Sequence, residues 1–310
     1  MFYDYGNGIY GIDAHYEGEG FVEVYLVRSL GEAAIIETAH NRSLPCVLEA
    51  LGELGVARES VKYVCVTHVH LDHAGGAGSY MREFPNAKLV VHPRGARHMI
   101  DPAKLVEGVK EVYGPEETER LYGTIIPVPA ERVLAPQDGE ELTLGGRRLV
   151  CYDAPGHAKH HMIFFEKTTK SVFAGDGFGI SYSCMDGTRG RWAIPTASPV
   201  QFDPEAMKAT IDHIVSLEPE TVFLTHFGPL TNIAEIAESL KKSVDKYVEI
   251  AVASRGEREG LSRRLTELYR ELITENGQAS RMEEIERAHR WDLELNIQGL
   301  ACWYAHEHKK

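Results

Sequence analysis

A chain of 310 residues with 43% hydrophobic and 25% charged side chains has the balance of a globular protein, with enough apolar material for a sizeable core. Its formal net charge of −13 argues against a nucleic-acid partner, because phosphate binding needs a basic face and no Lys/Arg run supplies one. No apolar run approaches the roughly 20 residues that span a bilayer, and no basic-then-apolar leader opens the sequence. Five cysteines, an odd number without a CxxC pair, fit reduced thiols in the cytoplasm better than a disulfide framework.

Residues 21–27 and 33–36 are β-rich runs separated by Ser29-Leu30-Gly31-Glu32, which predicts two strands. Ser43 followed by Pro45 predicts the start of a helix running to about Gly55. Residues 61–66 predict a strand that ends on Thr67-His68-Val69-His70-Leu71-Asp72-His73. After a short helix, residues 88–92 predict another strand, and residues 93–123 read as an inserted helical lobe. Strand patterns return between Val133 and Ala174, with runs at 148–152, 162–165 and 171–174. Residues 177–200 are rich in Gly, Ser, Thr and Pro without a period, and a loop of that length is more often functional than idle. Residues 204–217 predict a helix and 221–225 a last buried strand. Beyond Pro229, Leu230, Ile233, Ile236, Ala237, Leu240, Val244 and Tyr247 recur at helical spacing, as do Leu261, Leu265, Leu268 and Leu272. A final helix is expected from Glu283 to Leu300. The expected organisation is an α/β body over residues 1–228, with the insertion at about 93–123, and a helical region over 229–310.

His68, His70, Asp72 and His73 fall within six residues directly after a predicted strand. A strand-end loop can aim several side chains into one cleft, and imidazole nitrogen and carboxylate oxygen are the ligands that catalytic zinc takes. Three further candidates also end apolar runs: His157 after Ala154-Pro155-Gly156, Asp176 after Val172-Phe173-Ala174-Gly175, and His226 after Phe223-Leu224-Thr225. Together these seven residues supply enough ligands for two metals.

The set HVHLDH, PGH, AGD and a late Thr-His-Phe-Gly resembles the metallo-β-lactamase superfamily of metallohydrolases over roughly residues 10–228. The resemblance implies an αββα sandwich, here with a helical C-terminal extension. It implies that His68, His70 and His157 hold one divalent ion, that Asp72, His73 and His226 hold a second, and that Asp176 bridges them. Zinc is the default metal, while iron or manganese suits the same donors. The implied reaction is attack of a metal-bound hydroxide on a small ester, thioester or lactone, with Asp72 also able to accept a proton.

Departures from the family pattern narrow this reading. Asp176 stands where the best-known zinc β-lactamases carry Cys, and His70 where flavin-linked diiron members carry Glu, so the chain is nearer the glyoxalase II and lactonase branch. Many relatives carry Asp-Thr-Gly after the third strand; this chain has Glu37-Thr38-Ala39, which assigns Glu37 the support of the metal ligands. His40, His92, His98, His160 and His161 are read as structural or supporting residues, and Cys184 as packing. Tyr182 and Trp192, in the long loop, either contact substrate or pack that loop. The C-terminal helices either cap the site or form a homodimer interface. Two rivals share the ligand set: a mononuclear iron oxygenase resembling persulfide dioxygenases, and a metal-containing signalling protein with little turnover.

Overall fold

The structure is a computed structural model that describes residues 2–188 and 190–308. Its contacts separate into two units, Met1–Asp153 with His160–Gly175, and Ala154–Lys159 with Asp176–Lys310.

The first unit holds a seven-stranded sheet in the order β1 (Phe2–Asp4), β2 (Ile9–Asp13), β3 (Glu23–Ser29), β4 (Glu32–Ile36), β5 (Val61–Cys65), β6 (Lys88–Val90) and β7 (Val133–Leu134). β1 to β4 form an antiparallel meander. From β4 onward the pairing is parallel. Parallel neighbours need a crossover, and helices supply each one. α1 (Leu44–Glu53) links β4 to β5, and α2 (Leu71–Ala74) with α3 (Ala77–Glu83) link β5 to β6. The β6–β7 connection is the expected lobe, made of α4 (Pro93–Ile100), α5 (Ala103–Tyr113) and α6 (Pro115–Tyr122).

Both faces of this sheet are covered, which is why β3 and β4 read as almost unbroken apolar runs. Val24, Leu26, Ile35, Val64 and Leu89 form one core with Val47, Ala50 and Leu51 of α1, Tyr80 and Met81 of α3, and Phe84 just after it. The opposite face meets a second antiparallel sheet of β8 (Glu140–Leu144), β9 (Arg147–Asp153), β10 (Met162–Glu166) and β11 (Ser171–Gly175). Across that seam the Tyr25 and Phe173 ring centroids are 5.4 Å apart. The β8–β9 turn needs Gly145: its φ is +55°, and a Cβ there would meet the Ser29 carbonyl oxygen at 2.3 Å.

The first two strands had no clear sequence signal because Gly11 interrupts the pattern of β2. That glycine makes room for the Glu23 carboxylate, which a Cβ would meet at 1.6 Å. Glu23 is fully buried and accepts hydrogen bonds from Tyr5 Oη at 2.6 Å and Tyr25 Oη at 3.0 Å.

The second unit contains the long loop, with a short hairpin of β12 (Asp186–Gly187) and β13 (Gly190–Arg191), then α7 (Pro204–Ser216), β14 (Thr221–Leu224) and β15 (Gly228–Leu230). Asp203 caps α7 by accepting from Ala206 N at 3.0 Å. α8 (Ile233–Ala253) and α9 (Arg258–Glu275) bury the predicted stripes of Ile, Leu, Val and Tyr. The expected single last helix is two, α10 (Met282–Ala288) and α11 (Arg290–His308). The break is at His289, which is buried and whose ring lies 5.0 Å from Tyr182, so a side chain with polar partners inside the unit turns the chain there. Among the described residues, no helix is long and apolar enough to cross a membrane.

Candidate metal centre

The first unit carries four of the predicted ligands at the end of β5. Thr67, His68 and His73 are fully buried, and α2 is a single turn that returns Asp72 and His73 toward His68. His68 Nε2 lies 2.9 Å from His70 Nδ1, and the His68 and His73 ring centroids are 4.0 Å apart. Asp72 Oδ2 lies 3.7 Å from His73 Nε2, and the Asp72 side chain keeps 26% of its exposure. Nitrogen donors converging this closely in a buried loop suit a cation.

Hydrogen bonds behind the loop fix which nitrogen each ring presents. Glu37, fully buried, accepts from the Thr67 hydroxyl. The single Thr67 hydroxyl proton is thereby used, so the 3.1 Å contact between Thr67 Oγ1 and His68 Nδ1 requires the proton on His68 Nδ1. Glu37 Oε1 also faces His73 Nδ1 at 3.3 Å, where the carboxylate can only accept. Both imidazoles therefore carry hydrogen on Nδ1 and present Nε2 as a lone pair. Glu37 itself has φ of +69°, a left-handed conformation uncommon for a side chain of its size.

His160 and His161 pack on His68, with ring centroids 6.1 and 4.8 Å from it. His161 also explains the glycine before Asp176. A Cβ on Gly175 would meet Thr67 Oγ1 at 2.5 Å and His161 Nε2 at 2.7 Å, and its φ is +52°. His92 is structural: its Nδ1 accepts from Arg94 N at 3.0 Å as the cap of α4, and Nε2 lies 3.2 Å from Asp153. Burial holds its pKa below the usual histidine value, against the pull of Asp153.

The second unit carries the remaining three. His157 Nε2 lies 3.4 Å from Asp176 Oδ2, and His226 Nε2 lies 3.9 Å from Asp176 Oδ1. Asp176 thus turns one oxygen toward each imidazole. His157 Nδ1 lies 3.4 Å from the Thr196 carbonyl, which favours hydrogen on Nδ1 and a lone pair on Nε2. Gly156 lets this loop lie against α7, where a Cβ would meet Met207 N at 2.4 Å.

Tyr182 and Trp192 are both buried, and their polar atoms are engaged within the unit. Tyr182 Oη donates to Asp292 at 2.8 Å, and Trp192 Nε1 donates to Gln278 at 2.6 Å. Gln278 Nε2 in turn donates to the Cys184 and Asp186 carbonyls, at 3.0 and 3.1 Å. Sequence reasoning missed Gln278, Asp292 and Asn296 as anchors of the long loop. Asn296 carried a signal, being an amide on the stripe that also holds Ile297 and Leu300. Burial raises the Cys184 thiol pKa and pushes that of Cys151 up to about 12, so neither is a ready thiolate nucleophile.

The profile of the Metallo-beta-lactamase superfamily matches residues 18–226. The metallo-beta-lactamase fold-containing protein ST1585 of Sulfurisphaera tokodaii is 27% identical over 192 residues, 61% of this chain. The acyl-coenzyme A thioesterase MBLAC2 of Gallus gallus is 29% identical over 182 residues, 55% of this chain. The hydroxyacylglutathione hydrolase of Yersinia pestis is 25% identical over 204 residues, 62% of this chain. The chain spans 68%, 63% and 61% of the lengths of these three relatives. Among solved structures, the metallo-beta-lactamase family protein TTHA1429 of Thermus thermophilus aligns with a TM-score of 0.69 at 21% identity, covering 99% of this chain and 95% of its own. With two sheets stacked under helices and a His/Asp donor set in each unit, the chain belongs to the metallo-β-lactamase superfamily and has its α/β sandwich fold with C-terminal helices.

Proposed function

We propose that this protein is a dinuclear metal-dependent hydrolase of a small thioester, ester or lactone, with thioesters the first class to test. The observation that carries the reading is the hydrogen-bonded relay from Glu37 through Thr67 to His68, and from Glu37 to His73, which prepares two buried imidazoles to act as ligands through Nε2. Relatives named as an acyl-CoA thioesterase and a hydroxyacylglutathione hydrolase support the substrate class.

The ligand assignment follows the family pattern. His68, His70 and His157 would hold one ion, Asp72, His73 and His226 would hold the other, and Asp176 would bridge them. In this reading residues 1–228 supply the catalytic framework and 229–310 the helical extension. Zinc is the favoured metal, with iron or manganese compatible with the same nitrogen and oxygen donors. A pair of divalent ions would supply a nucleophile at neutral pH and polarise the scissile carbonyl.

The chain's own residues do the rest. Glu37 and Thr67 orient His68 and His73. Asp72, whose side chain keeps 26% of its exposure, is the carboxylate able to take up the proton released in hydrolysis. For Tyr182 and Trp192 the reading favours support of the long loop over direct substrate contact, because their polar atoms already have partners there. The test is a panel of acyl-CoA, acyl-glutathione and lactone substrates with zinc-reconstituted protein. His157→Ala and Asp176→Ala should each abolish metal loading and turnover. Full activity in both variants against every substrate that the wild type cleaves would overturn the proposal.

A further inference from the structure

Resting on the reading of His226 as a metal ligand, we infer that α11 acts on the metal site through Tyr182, with Asp292 as the positioning residue that holds the Tyr182 ring edge-on to His226. The ring centroids of Tyr182 and His226 are 6.1 Å apart with planes at 89°. Ser181 N donates to the His226 carbonyl, so residues 181 and 182 grip both the backbone and the ring of this residue. The far end of the Tyr182 side chain is tied down as well. Its hydroxyl donates at 2.8 Å to Asp292 Oδ2, in the first turn of α11. The same oxygen lies 3.2 Å from His289 Nδ1, and His289 Nε2 lies 3.0 Å from Met185 Sδ, on the loop that carries Tyr182. The contacts close into a ring: loop, helix break, helix start and loop again.

This closed set is more than a buried hydroxyl finding an acceptor. Without this tether the Tyr182 phenol, which caps a single 3-10 turn at Ser183–Met185, could rotate about two torsions beside the imidazole it flanks. A metal bound through one ring nitrogen needs that ring held in one plane, and the groups that hold it set affinity. The Asp292 carboxylate is 15% exposed, and its Oδ2 faces both the Tyr182 hydroxyl and His289 Nδ1, so the bond from Tyr182 is a charge-assisted one. The C-terminal helices are thereby part of the metal site's support.

The experiment measures zinc and cobalt binding by chelator competition, together with the visible spectrum of the cobalt-loaded protein. Tyr182→Phe keeps the ring and loses the tether. Asp292→Leu removes the acceptor, and Asp292→Asn retains one. Tyr182→Phe and Asp292→Leu should each weaken one of the two ions by about 10–100-fold and alter its cobalt spectrum. The double variant should add nothing further, because both changes cut the same link, and Asp292→Asn should recover most of the affinity. If Asp292→Leu fails to fold, Tyr182→Phe, which deletes one oxygen, carries the test. Wild-type affinities and spectra in folded Tyr182→Phe, or additive losses in the double variant, would overturn the inference. His226→Ala separates the two layers. If it leaves metal binding intact, the ligand reading fails and the inference with it; if it costs one ion while Tyr182→Phe costs nothing, the inference alone fails.

Discussion

Replacing Glu37 with Gln tests the support of the ligands with the least change in shape. Glu37 is fully buried, and one of its oxygens accepts from both the Thr67 hydroxyl and His73 Nδ1. The amide oxygen of Gln can receive both hydrogen bonds, so geometry survives and charge is lost. A hydrogen bond to a charged group contributes about 1.5–3 kcal/mol and a neutral one about 0.5–1.5 kcal/mol. The difference is about 1 kcal/mol per bond, or about 2 kcal/mol for the pair. If the loss passes fully into ligand strength, it corresponds to a rise of roughly 30-fold in the zinc dissociation constant. Competition against a chromophoric chelator reads that change directly. Thermal unfolding of the metal-free variant provides the control, since Gln at this site should leave the metal-free fold cooperative. A zinc affinity within about twofold of wild type in a folded variant would refute the relay, because orienting residues behind ligands are expected to matter by about 10-fold or more.

Other perturbations follow from the same structure. Asn296 is fully buried, its oxygen accepts from Ala197 N at 2.5 Å, and its amide donates to Tyr269 Oη at 2.6 Å. Asn296→Leu should strand these groups at about 1–3 kcal/mol each and lower the denaturation midpoint markedly; an unchanged midpoint would contradict the anchoring of the long loop by α11. Gly299→Ala would put a methyl 2.0 Å from the Ala197 carbonyl oxygen, so it should destabilise the same interface, as a lower Tm would report. Burial lowers the pKa of the His40 imidazole below the usual histidine value. The folded state then binds fewer protons than the unfolded chain, so this contribution to stability is fully present above about pH 6.5 and is lost as pH falls through the lowered value. His40→Phe should reduce the drop in Tm between neutral and mildly acidic buffer relative to wild type, and parallel curves would exclude His40 as a source of it.

The segments that carry the candidate ligands stood out in the sequence because each ends an apolar run. His68, Asp176 and His226 follow strands whose burial on both faces leaves little ambiguity of type. The long helices α8 and α9 were legible for a related reason: their apolar residues recur at 3.6-residue spacing, and those stripes are the ones buried. Glu37 was legible only as a departure from a family pattern, and its contacts to Thr67 and His73 needed the fold, since they join residues 30 and 36 positions apart. The first two strands were hidden by Gly11, which serves the buried Glu23. Polar contacts made by Gln278 and Asp292 were hidden because a hydrogen bond between residues 86 or 110 positions apart leaves no periodic trace. The break at His289 escaped for a similar reason: Tyr182 and Met185, which its ring meets, lie in a distant segment of the chain.

The central claim is that two ions, held by one donor set, are needed for hydrolysis. Stepwise zinc titration of metal-free protein, with thioester cleavage followed at each addition, tests it most directly. Activity should rise until about two equivalents per chain and then level off. Saturation at one equivalent, activity only with a single iron and consumption of oxygen, or full zinc loading without cleavage of any ester, thioester or lactone would contradict it.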